Sequence, residues 1–203
     1  MNWKCKASLI SFLCACFLTK IQGQNLYFQQ EVDYRISVVL DDQLHLLEGS
    51  WGMTYTNNSS DTLHQIKMHL WPNAYSGPTT ALAKQMLKHG DESLYQAKEM
   101  DRGAIDKLNF SCPDQNLSFQ VDEQHPDMGI ILLSEPLVPG EKIQIESPFR
   151  VKIPGDFSRL GHVNQSYQIS QWYPKPAVYD SDGWHHFPYL NQGEFYSEFG
   201  SFD

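Results

Sequence analysis

The chain has 203 residues, with 24 acidic side chains against 15 basic ones and a net charge of −9. That balance leaves no electrostatic footprint for nucleic acid or for an anionic membrane surface. The length suits one sizeable core and is too short for two generous domains.

Lys4 and Lys6 give the chain a basic start. The apolar run Ala7–Leu18 ("ASLISFLCACFL") is too short for a stable bilayer-spanning helix but suits the hydrophobic region of an export signal. Small Gly23 before Gln24 marks the cut, which makes residues 1–23 a signal peptide and 24–203 the mature domain, exported to the periplasm or secreted. A lipidated Cys16 fits less well, because Phe17 and Leu18 carry the apolar run beyond it. Removing 23 of 203 residues leaves 180, and the loss of Lys4, Lys6 and Lys20 takes the charge from −9 to −12. Three of the four cysteines depart with the signal, so Cys112 has no partner and the core must supply stability by itself.

Alternation dominates the mature chain. Val32, Tyr34, Ile36, Val38 and Leu40 share one face, with Asp33, Arg35 and Ser37 on the other, which is the period of a half-buried strand. Trp51, Met53 and Tyr55 repeat it, and "NNSSD" (Asn57–Asp61) turns the chain. Ile66, Met68 and Leu70 predict a third strand, stopped by Pro72. The segment Thr79–Gly90 breaks the rhythm: Leu82, Met86 and Leu87 stand at helical spacing between a Thr start and a Gly stop. Further strands are predicted around Leu117, Phe119 and Val121, around Ile131 and Leu133, and around Ile143 and Ile145. A separate run, Phe149, Val151 and Ile153, ends at "PGD" (Pro154–Asp156), and "VPGEK" (Val138–Lys142) is a turn. The sum is an all-β fold, an antiparallel saddle-like sheet or β-sandwich with one short inserted helix.

Motifs for chemistry are scarce. No His is followed by Glu, so the H-E-x-x-H zinc pair is absent, as are a P-loop, G-x-S-x-G and G-x-G-x-x-G. The densest stretch is Gln171–Leu190, "QWYPKPAVYDSDGWHHFPYL". Its adjacent His185 and His186 would point to opposite faces of a strand, and packing or hydrogen bonding suits them better than a shared metal. Asp180, Asp182, Glu194 and Glu198 offer carboxylates, but "YDSDGW" (Tyr179–Trp184) reads as a turn with Gly183 at positive φ. The aromatic side chains of this stretch could stack on sugar rings or build rigid, well-packed loops; composition allows both. The Asn-x-Ser sequons at Asn57, Asn58, Asn109, Asn116 and Asn164 are read as a by-product of turn composition.

Three strings go further: "MHLWPNAYSGPTTALAKQ" (Met68–Gln85), "SPFRVKIPGDFSRLGH" (Ser147–His162) and "QWYPKPAVYDSDGWHHFPYLNQGEFYSEFGSFD" (Gln171–Asp203). In order, they resemble the N-terminal domain of aminopeptidase N-type (gluzincin) zinc metallopeptidases, in a secreted Bacteroidetes-like branch, from about Gln30 onward. The resemblance implies a saddle-like β-domain preceding a larger thermolysin-like domain. That second domain carries H-E-x-x-H, a downstream Glu and a Gly-x-Met-Glu-Asn segment, none of which this sequence contains. The expectation is therefore an incomplete member, inactive alone, with no cofactor of its own. Zinc belongs to the catalytic domain of the same full-length protein, which is the expected partner, and peptides are the expected substrates.

The family's first domain lends one Gln to the substrate pocket, upstream of an aromatic–Pro segment that often continues Cys-x-Asp-x-Pro. Trp172-Tyr173-Pro174 matches the aromatic–Pro part, Asp180 echoes the acid, and Lys175 replaces the Cys. Gln171 and Gln168 both qualify as that glutamine, with Gln171 preferred. The resemblance makes Trp172, Tyr173, Trp184, His185 and Tyr189 part of the wall facing the catalytic domain. The rival expectation is a stand-alone β-sandwich module of the bacterial envelope, binding carbohydrate or peptide through Trp172, Tyr173, Trp184 and Tyr189.

Overall fold

The computed structural model describes residues 27–203, so the signal-peptide prediction lies outside the described residues. In chain order, β1 (Glu31–Asp41), β2 (Leu46–Thr56) and β3 (Leu63–His69) lead through a 3-10 turn at Trp71–Tyr75 into helices α1 (Ala81–Lys88) and α2 (Ser93–Gln96). Then come β4 (Ala104–Asp106), β5 (Leu117–Val121), β6 (Met128–Leu137), β7 (Lys142–Lys152), β8 (Leu160–Val163) and β9 (Ser166–Ile169). The last part carries β10 (Lys175–Pro176), β11 (Val178–Asp180), β12 (Gly183–His185) and β13 (Gly200–Phe202).

Two sheets face each other across one core. The first has the order β13-β1-β2-β7-β4, antiparallel except for the β1–β13 pair, and the second the order β10-β3-β6-β5. Their buried faces merge into one cluster, with Val32, Trp51, Met53, Tyr55, Ile145 and Phe149 from one side and Ile66, Met68 and Ile131 from the other. Ring contacts cross the gap, Trp51 to Phe110 at 5.7 Å between centroids and Phe110 to Phe119 at 4.8 Å. A fully buried large side chain such as Trp51 or Phe149 contributes about 1.5–3 kcal/mol of transfer free energy. The fold is thus all-β and sandwich-like, as the alternation predicts.

Three details correct the sequence expectation. The runs at Ile143 and Phe149 are one strand, β7, and alternate burial continues in phase through Ser147. Pro148 does not break it for a geometric reason. The Glu146 N–H donates away from β2, to Ser111 O, so position 148 also turns its missing N–H away from β2. There β4 has already ended, its pairing stopping at Asp106 with Arg150, so no ladder bond is forfeited. Second, the helical insertion holds two short α-helices rather than one. In α1, Thr80 Oγ1 accepts from Ala83 N–H, and Leu82, Ala83 and Met86 are buried, whereas Leu87 is 38% exposed. Gly90 closes that helix at φ +86. Third, the apolar alternation of β1 outruns the core: Val38 and Leu40 are exposed where the β1–β2 hairpin extends past it.

Candidate functional site

The three strings that carry the family-like pattern lie far apart in sequence and fold onto one another. Leu160 N–H donates to the Tyr75 hydroxyl at 3.3 Å, tying the second string to the first. Ser158 Oγ sits 3.0 Å from the Tyr189 hydroxyl and donates to Asn191 Oδ1 at 2.7 Å, tying the second to the third. Gln85 and Gln192 exchange a pair of 2.9 Å hydrogen bonds, Nε2 to O and N to Oε1, closing first to third.

Lys175 lies at the heart of this junction. The β10–β3 ladder places it opposite His69, in a strand of only two residues, Lys175 and Pro176. Its Nζ donates to Gln171 Oε1 and, at 2.9 Å, to Ser197 Oγ, and it stands 4.0 Å above the Trp71 ring. Only 6% of Lys175 is exposed, and burial pushes its pKa down from 10.5 to about 7. His69 beside it is wholly buried, with the His185 and Phe187 backbone approaching its ring. Burial, with His186 and Lys175 adding to it, takes the His69 pKa down from 6.5 to about 3, so the imidazole is neutral. Asp127, also buried, accepts from Tyr189 N–H at 2.6 Å, and burial raises its pKa.

The predicted residues divide among different surroundings. Gln171 is half-buried and holds φ +58, a left-handed conformation uncommon outside glycine. The Lys175 hydrogen bond and the neighbouring Ser170 Oγ bond to Arg159 O, at 2.6 Å, anchor that turn. That bond turns the Gln171 carboxamide oxygen toward Lys175 and leaves its amino group, a donor only, free of that contact. Gln168 is exposed on the β8–β9 hairpin, opposite Gly161, and the structure does not bring it to Lys175. Trp172 packs on Phe149 at 5.7 Å, and Tyr173 edges against Tyr34 at 5.4 Å. Trp184 and His185 form a second group, Trp184 against Tyr179 at 5.0 Å and His185 Nε2 at 2.8 Å from Asp180 Oδ2.

Tyr189 corrects the expectation of a shared wall. It is 1% exposed, between Trp71, Tyr75 and Phe195, so it serves the core and offers no ring face to a partner or a sugar. His186 turns to Met68 O at 3.0 Å while His185 faces Asp180, the divergence expected of adjacent strand residues.

Lys175, His69 and Trp71 were not singled out by sequence as a unit. Their signal is faint: Lys175 shows only as a departure between two prolines, and period two assigns His69 to the outward face of β3. That face is covered by the later chain, with Phe187 5.1 Å and Trp71 4.5 Å from the imidazole. Among the described residues, no three His, Cys, Asp or Glu side chains are placed to hold a metal ion, and no helix is long and apolar enough to cross a membrane. The larger concavity, about 750 Å³, spreads over the outer face of the first sheet between Asp33, Arg35, Thr54 and Glu146, and none of the predicted residues lines it.

No protein-family model matches the chain, and no curated protein does. Among solved structures it is similar to a crystal structure of a two-domain M1 zinc metallopeptidase mutant bound to L-tryptophan, at 15% identity and a TM-score of 0.34. The match covers 65% of this chain and 22% of that one, so the chain spans about a fifth of the neighbour's length.

Proposed function

We propose that this chain is the N-terminal β-scaffold of an exported, zinc-dependent aminopeptidase-like metallopeptidase of the secreted Bacteroidetes-like branch. Its partner is the catalytic domain of the same full-length protein, which holds the zinc and performs the reaction on peptide substrates. The observation that supports this reading is the mutual packing of the three family-like strings, through the reciprocal Gln85–Gln192 pair and the Tyr75, Ser158 and Tyr189 hydroxyls.

In this reading Gln171 is the substrate-contacting glutamine, and Lys175 is its positioning residue. With the oxygen held by Lys175, the amide N–H groups are the part that meets the substrate, where they suit a backbone carbonyl. The half-buried rings of Trp172 and Tyr173 beside it supply a stiff apolar wall.

The reading is tested by sequencing the reading frame downstream of codon 203 and assaying its product. An H-E-x-x-H segment with a downstream Glu is expected, and Gln171→Ala in that protein should raise KM for amino-acid p-nitroanilides roughly tenfold, with a smaller effect on kcat. A frame without zinc ligands, or an unchanged KM, overturns it.

A further inference from the structure

Ser197 and Lys175 lie 22 residues apart in sequence and meet side chain to side chain, Nζ to Oγ at 2.9 Å. They differ in access to solvent. Lys175 is buried, whereas Ser197 is exposed and lines a pocket of about 450 Å³. Tyr27, Phe28, Tyr179, Tyr196 and Phe199 share that lining, and Lys175 stands outside it, behind the hydroxyl.

The neighbours of Nζ decide what it can do. A neutral amine has two N–H bonds and one lone pair. Gln171 Oε1 can only accept, and the face of the Trp71 ring, 4.0 Å away, attracts a hydrogen. Those two neighbours take the N–H bonds, which leaves the lone pair for the Ser197 hydroxyl to donate to. A protonated amine would donate to Oγ instead and quench it. Burial favours the neutral form and brings the Lys175 pKa from 10.5 to about 7, so the base is available near neutral pH. A base within hydrogen-bond reach is what turns a serine hydroxyl from a weak nucleophile into a competent one.

The pocket selects what such a nucleophile would meet. Its rings suit an aromatic donor, and Asp180 and Glu198, with no lysine or arginine in the lining, disfavour an anionic one. We propose that Ser197 is a nucleophile activated by Lys175, and that it accepts an acyl group from neutral aryl esters held against the aromatic wall. In this step Nζ takes the hydroxyl proton as the bond from Oγ to the carbonyl carbon forms. The ester C–O bond then breaks, its electron pair leaves with the aryl oxide, and Nζ hands that oxide the proton. The products are an O-acyl serine, a phenol and a neutral lysine. The inference rests on this pair and its pocket, and stands or falls separately from the function proposed above.

The test is incubation of the purified chain with p-nitrophenyl acetate, followed by an acid quench and peptide mass mapping. Ser181 lines the same pocket, is exposed and has no lysine contact among the described residues, so it is an internal control. Acetate should appear on Ser197 at least about tenfold faster than on Ser181. Hydroxylamine should remove it, as it cleaves an ester and spares an amide. The rate at Ser197 should climb with pH to about 7 and level off above, whereas an unassisted hydroxyl keeps accelerating with hydroxide. Ser197→Ala should abolish the label there and leave Ser181 labelling unchanged. Lys175→Met should slow labelling of Ser197 at least about a hundredfold. The pH profile and the ratio of the two serines are read on the unaltered chain, so neither depends on Lys175→Met folding. Equal labelling of the two serines, a rate that rises without a plateau, or a hydroxylamine-stable acetyl group on Lys175 itself overturns the proposal.

Discussion

At the scale of single residues, the junction is defined by two bases that burial holds away from their ordinary charge. For Lys175, the folded pKa of about 7 lies below the ordinary 10.5. Between those values the unfolded chain keeps the proton and the folded chain does not, so stability rises with pH, by at most about 1.4 kcal/mol per pH unit. Lys175→Met removes this dependence. Urea unfolding of the protein from pH 7 to 10 should show a rising midpoint that flattens in the variant; parallel curves would contradict the buried-amine account. His69 follows the same logic at lower pH. Its pKa of about 3, against 6.5, means the unfolded state takes up a proton that the folded state refuses as pH falls through that window. Stability is therefore lost from about pH 6.5 down to about 3, and His69→Phe should blunt that loss in thermal melts between pH 6.5 and 4. An equally steep acid decline in His69→Phe would place the imidazole in contact with water.

At the scale of elements, the strands and turns are built from local rules that the sequence states openly. Val32 and Tyr34 in β1, Gly140 at φ +82 in the "VPGEK" turn and Gly183 at φ +96 in the β11–β12 turn all stand where period and turn chemistry put them. What covers a face is not local, and there the sequence is silent. Val38 and Leu40 continue the apolar period yet stay about two-fifths exposed, whereas His69, off phase, is buried by Trp71 and Phe187. Trp172 to Pro174 point to Gln171 only through the family resemblance, and the packing of Lys175 was not legible at all, because Ser197 lies 22 residues on and Trp71 belongs to another string. Pro148 is tolerated inside β7 because β4 ends early. Gly49 pairs with Val38 in the β1–β2 ladder. A Cβ there would lie 1.9 Å from Ser37 O. Gly49→Ala should thus cost about 3 kcal/mol or more, read from the urea midpoint, through forced separation of the hairpin strands. A shift under about 1 kcal/mol would mean the hairpin tip yields freely.

At the scale of the whole molecule, the two sheets and the third string share one hydrophobic core, and among the described residues no three His, Cys, Asp or Glu side chains are placed to hold a metal ion. In the function proposed above, this chain positions a substrate and a separate catalytic domain cleaves the bond. The most direct measurement is hydrolysis of amino-acid p-nitroanilides by the purified 203-residue chain with added zinc, with and without a chelator. The account predicts no chelator-sensitive turnover. Turnover that the chelator abolishes, with zinc retained by the purified chain at one equivalent, would contradict it.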